Sequence, residues 1–206
     1  MFGKKSFVVA VAVASTFGAD AVRADLKDGD VNIGVSGSGQ LVAAWNGEVV
    51  DLPEIGGPLF GFGLDEPGFF TIDADQPNED IFLLEAGHHI VLEVIALDDA
   101  LKGWTPGFAS VFDDPGETWD IGAGPFDEHP FWHIDSTDGG FVAPPGQTEW
   151  NATFRLLDTG TTGYAPSDPV IVTFAPEPGT LSLILLGGVM ICRRGKACEE
   201  GFSRQR

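Results

Sequence analysis

Between residues 25 and 175 the chain never sustains an apolar repeat at helical spacing for more than a turn or two. Short β-branched and aromatic runs alternate instead with clusters of turn formers such as Gly37-Ser38-Gly39, Pro115-Gly116, Gly139-Gly140 and Pro144-Pro145-Gly146. That punctuation predicts strands over residues 31–35, 40–45, 48–52, 69–72, 81–85, 90–97, 108–112, 131–135, 151–157 and 170–174. The expected fold class is all-β, an antiparallel β-sandwich or jelly-roll in which one face of each strand packs inward and the other meets water. The 90–97 run is apolar on both faces and reads as a strand in the middle of a sheet. The Asp98-Asp99-Ala100-Leu101 stretch could open one helical turn.

Composition supports a folded middle: 43% of the 206 residues are hydrophobic and 11% aromatic, enough to build a core. Charge is distributed unevenly. Of the formal −20, residues 1–24 carry +2 and residues 179–206 carry +3, which leaves −25 on residues 25–178. Only Lys27, Lys102 and Arg155 oppose 28 carboxylates there. Such a domain repels phosphate backbones, whose binding needs Lys and Arg, so nucleic acid is excluded as a partner.

The two ends read as addresses rather than fold. Lys4 and Lys5 precede an apolar run over residues 7–17, and the small residues Val22 and Ala24 mark a cleavage site between Ala24 and Asp25, with a second after Ala21. This is the pattern of a signal peptide that engages the Sec translocon. At the other end Pro176-Glu177-Pro178 precedes an apolar stretch over residues 180–192, closed by Arg193, Arg194 and Lys196. The stretch is expected to form a short membrane helix whose basic end the positive-inside rule would hold in the cytoplasm.

Those features, taken together with the signal peptide, resemble the PEP-CTERM family of exosortase targets. The resemblance covers roughly residues 176–194, and the chain continues to Arg206 where family members stop close after their arginines. It implies that an exosortase recognises the Pro176-Glu177-Pro178, apolar and Arg193-Arg194 elements at the inner membrane, removes the tail, and delivers the protein to the cell surface or extracellular matrix of a polysaccharide-producing bacterium. The expected organisation is therefore a signal peptide over 1–24 with an N-terminal signal helix, an acidic β-sandwich domain over 25–175, a sorting and anchor segment over 176–196, and a cytoplasmic tail over 197–206. Both cysteines, Cys192 and Cys198, lie in the tail, so a product cut near the triplet has neither thiol nor disulfide.

Within the domain two constellations suggest ions. The acidic loop around Asp73, Asp75 and Asp80 places oxygens at alternating positions, as calcium prefers, although Asn78 and Leu84 stand where an EF-hand needs Gly and Glu. His129 and His133 are four apart, but Pro130 opposes a helix there. On a strand the better transition-metal pair is His133 with Asp135, on one face and about 7 Å apart. No nucleophile elbow, HExxH motif or P-loop occurs. The sequence thus predicts no resident cofactor beyond a candidate calcium ion. The function it predicts is non-enzymatic, that of a structural or binding module holding extracellular polysaccharide through aromatic side chains or cations. The alternative is an extracellular glycan-acting hydrolase.

Overall fold

The computed structural model describes residues 26–177. Ala24, Asp25, Pro178, Arg193 and Arg194, with the expected signal and membrane helices and the tail, lie outside the described residues.

Fourteen strands, numbered in chain order, form three sheets. The first sheet runs β11 (Asp127–Glu128), β6 (Phe69–Thr71), β1 (Val31–Val35), β2 (Leu41–Ala44). The second runs β10 (Thr118–Gly122), β7 (Ile90–Leu97), β13 (Trp150–Asp158), β14 (Val170–Pro176), β3 (Val49–Leu52). The third runs β4 (Glu54–Ile55), β5 (Gly61–Leu64), β12 (Phe131–Asp135), β8 (Leu101–Trp104), β9 (Val111–Phe112). The described residues contain no α-helix, only short 3-10 turns at Pro77–Glu79 and Pro106–Phe108.

The all-β expectation holds, but the pairing is mixed rather than purely antiparallel. β1 runs parallel to β6, and β14 parallel to β3. In both cases the chain leaves one sheet and returns through another before it pairs, as a parallel connection requires. The predicted 81–85 strand contracts to two bridge residues, Ile81 and Phe82, because this segment lies across β1. Gly34 permits that crossing: a Cβ there would sit 2.4 Å from Ile81 Cγ2 and 2.7 Å from the Phe82 carbonyl oxygen. Phe108 belongs to a 3-10 turn, not to a strand. Asp98 to Leu101 is a tight turn closed by the Leu101 N–H to Asp98 O bond, and it passes the chain from β7 into β8 of another sheet. Pro176 is buried as the last residue of β14, opposite Leu52, and the Glu177 N–H donates to the Leu52 carbonyl.

Period-two burial explains how the sheets join. Ile90, Leu92 and Val94 of β7, Trp150, Ala152, Phe154 and Leu156 of β13, and Val172 and Phe174 of β14 all point to one side and are buried. They meet Phe69 of the first sheet and Trp132 of the third. Phe69 packs edge-on against Phe154 at 5.3 Å, and Trp132 lies 5.0 Å from Phe174 between ring centres. One continuous core draws on all three sheets. Burial of each large side chain in it stabilises the fold by roughly 2–3 kcal/mol.

Candidate functional site

Trp132 and Ile134 turn one face of β12 into the core, so Phe131, His133 and Asp135 occupy the other. On the neighbouring strand Trp104 stands opposite Phe131, and Lys102 opposite His133. This outer face carries an apolar groove of about 480 Å³, lined by Ile55, Pro58, Leu59, Trp104, Phe108 and Phe131. The three rings form its wall: Phe108 lies 5.9 Å from Trp104 and 5.3 Å from Phe131, tilted by 56° and 55°.

Two backbone features put those rings in place. Gly63 of β5 lies beneath Phe131, whose Cζ would be 2.6 Å from a Cβ at that position. Phe108 has φ 57°, the left-handed region that costs a residue with a Cβ about 1–2 kcal/mol. It follows Gly107 at φ 73° and leaves its side chain 52% exposed. A strained backbone that presents a ring to solvent marks a position where the ring does something other than fill the core.

Beyond the aromatic wall the same face becomes ionic. His133 is buried, with Nε2 3.1 Å from the Phe60 carbonyl oxygen, and burial lowers its pKa. Lys102 Nζ lies 2.9 Å from Asp135 and 3.2 Å from Asp138. Burial alone would raise the pKa of Asp135, but the Thr137 hydroxyl, the Lys102 ammonium and the Thr137 N–H outweigh it and hold the carboxyl at about 2. The predicted His133–Asp135 pair therefore does not converge: the imidazole is tied to a carbonyl, the carboxylate to Lys102 and Thr137. A second, acidic cleft of about 380 Å³ adjoins Lys102, with Asp98, Asp99, Asp113, Asp114 and Asp138 around it. Burial and the Glu117 charge raise the pKa of Asp113 there.

The predicted calcium loop is engaged with backbone. Asp75 Oδ1 accepts the Leu83 N–H at 2.9 Å, Asp80 Oδ1 accepts the Gly37 N–H at 3.0 Å, and Asp73 is exposed. Among the described residues, three acidic and imidazole groups converge at Asp30, Asp127 and His129, whose ligand atoms lie within 4.8 Å of one another. Lys27 Nζ bridges Asp30 at 2.8 Å and Asp127 at 2.7 Å. Asp30 and Asp127 carried no local signal in the sequence, because only the fold brings them together, one from the loop before β1 and the other from β11, the strands that flank β6. For the groove the available signal was Pro106-Gly107-Phe108, where a turn dipeptide precedes a large ring.

Comparison of the chain with protein-family models, with curated proteins and with solved structures finds no match in any of the three.

Proposed function

We propose that this chain is an exported cell-surface or extracellular-matrix protein whose β-sandwich holds an uncharged or amino-sugar polysaccharide in the groove of Trp104, Phe108 and Phe131. The second sheet forms one layer of that sandwich and the first and third sheets the other. Export runs through the Sec translocon, and an exosortase acts at Pro176-Glu177-Pro178. The sequence of the two ends supports the address.

The observation that carries the binding reading is the strained, half-exposed Phe108 completing an aromatic wall. Such walls stack on the C–H faces of sugar rings as they stack on one another. Electrostatics select the polymer. Residues 26–177 hold 27 carboxylates against three basic side chains. All three bases are already paired: Lys27 with Asp30 and Asp127, Lys102 with Asp135 and Asp138, Arg155 with Glu93 at 2.5 Å. That field disfavours an anionic polymer.

The test is affinity electrophoresis of the secreted protein in gels containing a neutral glucan, a deacetylated amino-sugar polymer or an acidic polysaccharide. Retardation by either of the first two, lost at least tenfold in Phe108→Ala, is expected; retardation only by the acidic polymer overturns the reading. Reducing ends released during the incubation would replace binding with hydrolysis. Mass spectrometry of the secreted form tests the address: an N-terminus at Asp25 and no peptide from residues 198–206 are expected.

A further inference from the structure

Beside β6 in the first sheet three chain segments, residues 27–30, 65–68 and 127–129, meet around Lys27. Asp30, from the loop before β1, is buried; its Oδ1 accepts the Gly68 N–H at 2.8 Å and its Oδ2 faces Lys27. Asp127 comes from β11 and His129 from just beyond it. Gly68 forms the floor: a Cβ on it would lie 2.6 Å from the His129 ring and 2.8 Å from Asp30 Oδ1, so only glycine lets the donors approach one another.

Three independent features point to a cation at this spot. First, His129 Nδ1 lies 3.0 Å from the Asp65 carbonyl oxygen, which accepts only and so fixes the proton on Nδ1. A backbone carbonyl that orients the ring in this way is the usual outer partner of a metal-ligating histidine. Second, the opposite ring nitrogen, Nε2, is turned toward the carboxylates and lies 3.1 Å from Asp127 Oδ1. Third, an ammonium nitrogen already stands within 2.8 Å of both carboxylates, marking where positive charge is held.

We propose that Asp30, Asp127 and His129 Nε2 are the three protein ligands of a zinc-class divalent ion, which takes the place of the Lys27 ammonium between the two carboxylates. Two carboxylates and a neutral imidazole match a dication in charge, and a water completes four-coordination. Donor atoms within 4.8 Å of each other need to close by about an ångström to reach the ~2.1 Å bonds of zinc. Calcium is disfavoured, since it takes six to eight oxygens and this site offers a nitrogen and two carboxylates. Glu66 lies 3.5 Å from Nδ1 and shares the Gly68 N–H with Asp30.

The experiment is calorimetric titration of the secreted protein with zinc chloride, and with calcium chloride as control, for the wild type, Lys27→Met, His129→Gln and Asp127→Asn. Lys27→Met keeps the apolar stem and removes the competing ammonium, so zinc affinity rises at least tenfold. His129→Gln and Asp127→Asn each lower it at least thirtyfold, and calcium gives no heat that depends on these residues. Cobalt soaked into Lys27→Met shows the visible bands of a four-coordinate site. If Lys27→Met binds zinc no more tightly than the wild type, or if zinc binding survives His129→Gln, the cluster is an ion pair closed by lysine and the proposal is wrong. Both side chains are partly exposed, and an unchanged circular dichroism spectrum separates loss of ligand from loss of fold.

Discussion

Phe108 and Asp158 show how single residues hold strain and charge in this fold. Replacing Phe108 by Gly removes the clash between Cβ and the left-handed backbone, so thermal unfolding is expected to show stability unchanged or raised by about 0.5–1 kcal/mol while polymer retention falls. A destabilisation beyond 2 kcal/mol would mean that the ring is structural. Asp158 works in the opposite sense. Its Oδ1 accepts the His89 and Gly160 N–H groups, and its Oδ2 accepts the Thr162 hydroxyl and the Gly163 and Tyr164 N–H groups. Burial opposes the charged form, but these donors hold the carboxyl at about 2 against an ordinary 3.8. A folded-state pKa below the unfolded one gives stability that is complete above about pH 4 and lost as pH falls toward 2. Acid titration followed by circular dichroism is expected to show a shallower loss over that window in Asp158→Asn, from a lower starting stability. An identical slope would remove Asp158 from the account.

At the scale of elements, the strands legible in the sequence were those with sustained alternation or a dense apolar run. Residues 31–35, 90–97 and 131–135 match β1, β7 and β12 end to end, and the 151–157 and 170–174 runs extend by one or two residues as β13 and β14. Two of the missed strands, β8 (Leu-Lys-Gly-Trp) and β10 (Thr-Trp-Asp-Ile-Gly), do alternate, but only over four and five residues, and the others lack the signal. β5 is Gly-Phe-Gly-Leu, where two glycines erase strand propensity, and β4 and β11 are two-residue ladders that exist only because a neighbour pairs with them. The 81–85 run misled because only Phe82 of it pairs with a strand, exchanging both backbone hydrogen bonds with Val35 at the end of β1. The same limit hid the sites. The groove draws on β4, β8, β12 and two connecting turns, and the Lys27 cluster spans about a hundred residues, while sequence spacing reports only neighbours along one element. Gly63 links the two levels. Its Ala variant is expected to lose about 1–3 kcal/mol as the new methyl meets the Phe131 ring and the Trp132 carbonyl, and to weaken polymer retention by displacing that ring. Unchanged retention would detach Phe131 from the site.

For the whole molecule the governing quantity is charge: 27 carboxylates and three paired bases among residues 26–177 crowd like charges on a small surface. Sodium chloride is expected to raise the melting temperature as the Debye length shortens to about 10 Å near 0.1 M. Calcium chloride at matched ionic strength is expected to act alike, since Asp75 and Asp80 are engaged with backbone N–H groups. A calcium excess that disappears with Asp73→Asn and Asp75→Asn would restore the acidic loop as a site. The placement of β14 has a mechanical consequence. Its last four residues are zipped to β3 while its first five are zipped to β13, so every residue of the strand is gripped on one flank and Thr173 and Phe174 on both. A tug on the C-terminal end, the end that the proposed tag would tether, runs along the strand axis and across hydrogen bonds that lie transverse to it. Those bonds then share the load and yield together, whereas a pull at right angles would peel them one by one. The domain is best able to bear tension at the end from which it would be hung.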